Sequence, residues 1–207
     1  VPEAKIMVLP FGIDPKLFNA NQRKLDDSKF VVTSTRNFET VYNIPHLLKA
    51  IAKLKDEIPN LQLNLIGTGS LKSEIDALVN ELELKDIVTF FGKIPQAEIV
   101  TVLNQSNVFV SVSLSDGNNI SLNEAMACET FCIATDIPAN TQWIKHEENG
   151  FLVPIDDVDA LANYLLVSAK NYDQLQQKSL PLSRKLLQEK GIWELNMARM
   201  ENEYKRL

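Results

Sequence analysis

Short, nearly unbroken apolar runs alternate along this chain with segments whose apolar residues recur every three or four positions. A strand with no polar side must be covered on both faces. A parallel sheet wrapped by helices provides that cover, and a one-sided antiparallel sheet does not. The expected strands are Phe30–Ser34, Leu61–Ile66, Ile87–Phe91, Val108–Val112, Phe131–Thr135 and Phe151–Val153, with a short apolar strand from Ile6 to Leu9 ahead of Pro10 and Gly12. Between them, Leu47, Leu48, Ile51 and Leu54 mark one helix face, and Leu71, Ile75, Leu78, Val79 and Leu82 a second. Ile99, Val102 and Leu103 mark a third, with Pro95 near its start, and Asp157–Ala169 is a fourth. From Tyr172 onward the pattern is helical, with breaks expected at Pro181 and Gly191. Strand–helix–strand units of this kind cross over right-handed, so the expected fold is α/β, a Rossmann-like doubly wound parallel sheet in a single domain.

Composition excludes several classes. The 207 residues carry a net charge of −6, so no global positive field exists to hold nucleic acid or an anionic membrane. Cys128 and Cys132 are spaced C-x3-C, which suits neither a zinc ribbon nor a redox C-x-x-C, and both lie in an apolar stretch, so reduced core thiols are expected. With His46 and His146 as the only histidines, a His/Cys metal site is not expected. His46 should begin a helix, and His146, among Lys145, Glu147 and Glu148, should be solvated. No apolar run approaches the ~20 residues of a spanning helix, and Val1–Lys5 lacks the features of a signal peptide. A cytoplasmic address is expected. Lys178, Arg184, Lys185 and Lys190 leave open a peripheral contact at the inner face of a membrane, against the plainer reading of solvated charges.

Doubly wound sheets bind ligands beyond the carboxyl ends of their strands, at the point where the strand order reverses. Function is therefore sought around Arg36, Gly67-Thr68-Gly69, Gly92, Ser113–Ser121 and Asp136–Asn140. The richest segment runs from Ser113 to Ala127, where a strand ends, small polar residues follow, and a helix begins near Ser121. Free N–H groups and the positive end of a helix suit a phosphate or pyrophosphate. Asp116 and Glu124 flank that start, and carboxylates accept well from sugar hydroxyls. Two plainer readings stand beside this one. Ser121-Leu122-Asn123-Glu124 has the form of a capping box, and Asp116-Gly117 that of an ordinary turn.

The order Asp116, seven residues, Glu124-Ala125-Met126-Ala127 resembles the E-x7-E signature of GT-B glycosyltransferases of the family 4 type. Other segments match in register: Leu9-Pro10-Phe11-Gly12-Ile13-Asp14 with Phe18, Thr35-Arg36-Asn37, Leu65-Ile66-Gly67-Thr68-Gly69 and Val88-Thr89-Phe90-Phe91-Gly92. Asp136-Ile137-Pro138-Ala139-Asn140, Trp143-Ile144 and Asn149-Gly150-Phe151-Leu152-Val153 continue the order. The resemblance implies a nucleotide-sugar (donor) binding domain spanning residues 1–207, in an enzyme of polysaccharide biosynthesis. Its donor would be a nucleoside-diphosphate sugar, with UDP or GDP expected, and no cofactor or metal. Arg36 would neutralise the diphosphate, the N–H groups of Ser121 and Leu122 would cradle it, and Glu124 would accept from the ribose. Backbone at Gly92, Lys93 and Ile94 would read the base, Gly67 would line the donor loop, and Asp116 with Gly117, Asn118, Asn119 and Ile120 would hold the transferred sugar.

The matched motifs belong to the C-terminal half of such enzymes, so the N-terminal acceptor lobe lies outside this chain. Ile192-Trp193 through Tyr204 resembles the last helix, which returns toward that lobe. The isolated half should bind nucleotide without turning over. Three positions depart from the pattern: Asp116 replaces a Glu, Thr40-Val41-Tyr42-Asn43 stands where a Lys is usual, and Glu129 replaces a Gly. Lys49 or Lys93 are candidates to supply the missing charge. These departures keep open a non-catalytic nucleotide-sugar binding or interaction module with the same fold. A GT-B sugar-nucleotide epimerase is a third reading.

Overall fold

The computed structural model describes residues 7–206. Six parallel strands form one sheet in the order β3-β2-β1-β4-β5-β6: β1 (Phe30–Ser34), β2 (Leu61–Ile66), β3 (Val88–Gly92), β4 (Val108–Ser111), β5 (Phe131–Thr135) and β6 (Gly150–Val153). This is a single Rossmann-like α/β domain, with the order reversing between β1 and β4. Each strand lies within a residue of its expected bounds. The two central strands and β5 are buried along their whole length, as unbroken apolar runs require, while the edge strand β3 alternates buried and exposed.

On one face, α1 (Ile44–Leu54), α2 (Lys72–Glu81) and α6 (Val158–Lys170) bury their apolar stripes against Val32, Leu63, Val110 and Ile133. On the other, α3 (Gln96–Asn104), α4 (Ile120–Ala127) and α7 (Tyr172–Lys190) enclose Phe109, Cys132, Trp143 and Leu187. Cys128 and Cys132 are both free and buried here, and burial pushes the Cys128 thiol up to about 12, which leaves it unreactive. Arg23 closes this half from below. Its Nη1 donates to the carbonyls of Leu103 and Cys128, each at 3.3 Å, so that one guanidinium meets the negative ends of both α3 and α4.

Helix starts follow local chemistry. Asp157 caps α6 by accepting from Ala160 N at 2.8 Å, and Pro95 stands at the N-cap of α3. The short α5 (Pro138–Thr141) begins on its proline. His46 sits in the first turn of α1, as expected.

Two expectations fail, and a third holds with an addition. Pro181 does not interrupt the C-terminal helix: α7 runs unbroken from Tyr172 to Lys190 and ends at Gly191. Proline removes one N–H, but Ser179, Ser183 and Leu187 lie buried along one face and hold the helix through that gap. His146 is exposed yet not merely solvated, since Nδ1 accepts from Leu152 N at 3.0 Å and Nε2 lies 3.1 Å from the Tyr164 hydroxyl. Of the strand expected at Ile6–Leu9, Ile6 lies outside the described residues and Met7–Leu9 is irregular. A single bridge, Ile13 to Ile192, forms nearby, with Trp193 N donating to Ile13 O at 3.0 Å.

The final helix, α8 (Trp193–Tyr204), starts at that bridge, and its Trp193 ring stacks on Phe11 at 5.7 Å. Both rings are exposed. Two of the cations considered for a membrane surface are otherwise engaged, Arg184 by Glu129 and Lys190 by the Gln142 carbonyl and the Trp143 ring. No helix among the described residues is long and apolar enough to cross a membrane.

Candidate functional site

The site forms where the strand order reverses. Arg36 follows β1, Asp116 to Asn119 follow β4, and α4 carries Ser121 and Glu124. The Arg36 guanidinium is buried rather than part of a surface ion pair. Its Nη2 meets Asp116 Oδ2 at 2.5 Å, and its Nη1 donates to Asn119 Oδ1 at 3.1 Å and Ser121 Oγ at 3.5 Å. Tyr42 lays its ring 4.2 Å from the guanidinium carbon, a cation–π contact. Lys49 and Lys93 are both exposed.

The capping-box reading of Ser121 and Glu124 is overturned. The N-cap is Asn119, whose Oδ1 accepts from Leu122 N at 3.2 Å, and α4 begins at Ile120. Asn119 wins because its short amide reaches the N3 donor while its own nitrogen finds buried acceptors, which a serine two residues later does not need to replace. The consequence for anion binding is specific. Leu122 N–H is already taken by Asn119, whereas Ser121 N–H has no partner among the described residues. Glu124, released from capping duty, projects from α4 half-buried. Burial raises its carboxyl to about 7, against the opposing pull of Arg36.

Glycine at 67 is required by the fold of the site itself. It holds φ +145°, and a Cβ there would come within 2.8 Å of the Arg36 carbonyl. Gly67 thus seats the Arg36 backbone and reaches the next strand by donating to Gly92 O at 2.9 Å. Gly92 has φ +66°, and the turn it opens carries Lys93, exposed, and Ile94, half-buried, at the rim two strands from Arg36. Gly117 is open to solvent, and Asn118 N donates to Asp116 Oδ1 at 3.2 Å, which shapes the loop.

Unpartnered buried polar atoms gather here. Among the described residues, Ser34 Oγ, Thr35 Oγ1, Arg36 Nε and both amide atoms of Asn118 make no hydrogen bond. Groups of this kind are costly to bury unless something polar completes them, so their clustering marks a place built to receive a polar ligand. Two cavities lie elsewhere. Both are open clefts along residues 24–29 at the start of β1, away from Arg36. No cluster of three metal-ligating side chains occurs among the described residues.

Two contributors were not singled out from sequence. Tyr42 carries no sequence signal of its own, and Asn140, which donates to Thr135 O at 2.8 Å and accepts from Asn119 at 2.9 Å, lies in the loop Asp136–Asn140 where function is sought but has no role there from sequence.

Comparison with known proteins gives the family and the fold. The family model described as glycosyl transferases group 1 matches residues 16–179. The amylovoran biosynthesis glycosyltransferase AmsK of Erwinia amylovora is 28% identical over 171 residues, covering 80% of this chain and 42% of that protein. Sucrose-phosphate synthase from Thermosynechococcus elongatus superposes with a TM-score of 0.85 at 28% identity, over 96% of this chain and 51% of that one. The pneumococcal O-GlcNAc transferase GtfA, solved in complex with UDP and GlcNAc, shares the fold with a TM-score of 0.83 at 20% identity, over 98% of this chain and 40% of its own. The chain thus spans about half or less of the length of these relatives. The family match spans most of the chain, and the chain belongs to the glycosyl transferases group 1 family.

Proposed function

We propose that this chain is the C-terminal, donor-binding lobe of a retaining GT-B glycosyltransferase of the family 4 type, which moves a sugar from a nucleoside-diphosphate sugar to a glycan, lipid or other acceptor. The observation that carries this reading is the convergence of Arg36, the first turn of α4 and the half-buried Glu124 in one place at the reversal of strand order. Arg36 and the free Ser121 N–H meet the diphosphate, and Glu124 accepts from the ribose hydroxyls. The Gly92-Lys93-Ile94 turn borders the base, and Asp116 with Gly117 to Ile120 faces the transferred sugar. The negative charge that grows on the departing diphosphate is stabilised by a fixed guanidinium and an oriented helix end, which need no metal ion. The complexed UDP of the pneumococcal relative supports a nucleoside diphosphate as the ligand class.

The acceptor would be held by a second lobe in the longer protein. The exposed Phe11–Trp193 stack beside the start of α8 is the surface this lobe would cover. Calorimetry with UDP, GDP and ADP tests the reading. One of the three is expected to bind in the micromolar to millimolar range, with affinity lost in Arg36→Ala, and no sugar transfer is expected from this chain alone. Absence of binding to all three at millimolar ligand would overturn the assignment.

A further inference from the structure

A buried relay of amides ends on Arg36. The guanidinium donates through Nη1 to Asn119, and an amide can present either oxygen or nitrogen at that position, of which only the oxygen accepts. Asn119 is fully buried, and its sense is set from two sides, by Leu122 N–H, which donates to the same oxygen at 3.2 Å, and from behind. Its Nδ2 donates to Asn140 Oδ1 and to Ser111 Oγ, each at 2.9 Å. Ser111 does not decide the matter, because a hydroxyl can donate or accept. Asn140 does, since its own Nδ2 donates at 2.8 Å to the main-chain carbonyl of Thr135, which can only accept. The Thr135 hydroxyl in turn donates to Ser113 O at 2.6 Å, which ties the end of β5 to the segment after β4. Polarity therefore runs one way, from the Thr135 carbonyl through Asn140 and Asn119 to Arg36.

We propose that Asn140 is a positioning residue: acting only through Asn119, it anchors that amide from behind and so steadies the oxygen that holds the Arg36 guanidinium where the diphosphate must meet it. What Arg36 then binds rests on the donor-site reading above, whereas the orientation of Arg36 does not. With Asn140 gone, the Asn119 nitrogen keeps a single partner that accepts either sense. Leu122 N–H still holds the oxygen side, but the amide has lost its anchor from behind, so it rocks about the helix cap and its bond to Arg36 loosens.

The test uses N140L, which keeps the branched shape of the side chain without its polar atoms, and N140A, which introduces no clash should N140L not fold. In the ligand-free chain, the Arg36 Nε–H signal is followed by ¹⁵N relaxation. It is expected to be as rigid as the backbone in the native chain and to become mobile in either variant. Titrations with UDP, GDP and ADP should show about tenfold weaker binding of whichever diphosphate binds, the loss expected for one displaced charged hydrogen bond. The matching nucleosides, which lack phosphate, should bind unchanged, and in an R36A background N140L should have no further effect. An Arg36 signal as rigid in the variants as in the native chain would overturn the proposal, as would an equal loss for nucleosides. If the native chain binds no diphosphate, the donor-site reading falls while the relaxation measurement still decides the relay.

Discussion

Asp116 and Glu124 stand beside one guanidinium and are held in opposite ways. Asp116 is ion-paired to Arg36 at 2.5 Å, while Glu124 is left to the cost of burial, its carboxyl raised to about 7. In the first case the pairing spends a cation that a diphosphate would need. Asp116→Asn should therefore raise affinity for a nucleoside diphosphate several-fold, while costing about 2 kcal/mol of stability through loss of a charged hydrogen bond; weaker binding in that variant would show that Asp116 does not compete with the ligand. For Glu124, the folded value lies above the ordinary 4.5, so as pH rises the unfolded chain gives up this proton first. Its contribution to stability is fully present below about pH 4.5 and lost by about pH 7, so Glu124→Gln should abolish that slope and be more stable at pH 8 by up to about 2–3 kcal/mol, measured by urea unfolding at pH 5 and 8. Arg36, Asp116 and Glu124 were all readable from sequence because spacing after a strand, and spacing along a helix, place them. Tyr42 and Asn140 were not. A ring over a cation and an amide behind an amide depend on which segments the sheet brings together, and no local pattern announces that.

The helices show where local chemistry decides and where packing overrides it. Asp157 and Asn119 are caps of the ordinary kind, and the start of α6 was legible for that reason. The start of α4 was misplaced because two capping residues compete within three positions, and the winner is settled by Ser111 and Asn140, which lie outside the helix. Pro181 is exposed in the middle of α7, so replacing it removes little packing. Pro181→Ala should stabilise the chain by about 1–2 kcal/mol in urea unfolding, the helix-interior penalty less the gain in unfolded-chain entropy. Glu129, at φ +57° where a glycine would be unstrained, follows α4 in the left-handed region, and Arg184 holds its carboxylate with Nε at 2.8 Å. That contact offsets part of the strain and binds α4 to α7, a compensation visible only once both helices are placed.

At the scale of the whole molecule, strand existence, parallel pairing and two-sided cover were all readable from unbroken apolar runs, whereas strand order was an expectation of the fold class and not of any residue. The gradient of burial across the sheet predicts a gradient of protection. Amide exchange in β1, β4 and β5 should require global unfolding, while β3 at the edge should exchange through local fraying, as read by native-state hydrogen exchange. The partners of Arg36 in Asp116, Asn119 and Ser121 lie 80 to 85 residues along the chain from it. Since β1 and β4 meet only at the central seam, a nascent chain released after the third strand would carry the guanidinium with the Tyr42 ring but none of its polar partners to face it. Recognition capacity and complete folding therefore arise in a single event, and any truncation that splits the seam forfeits both.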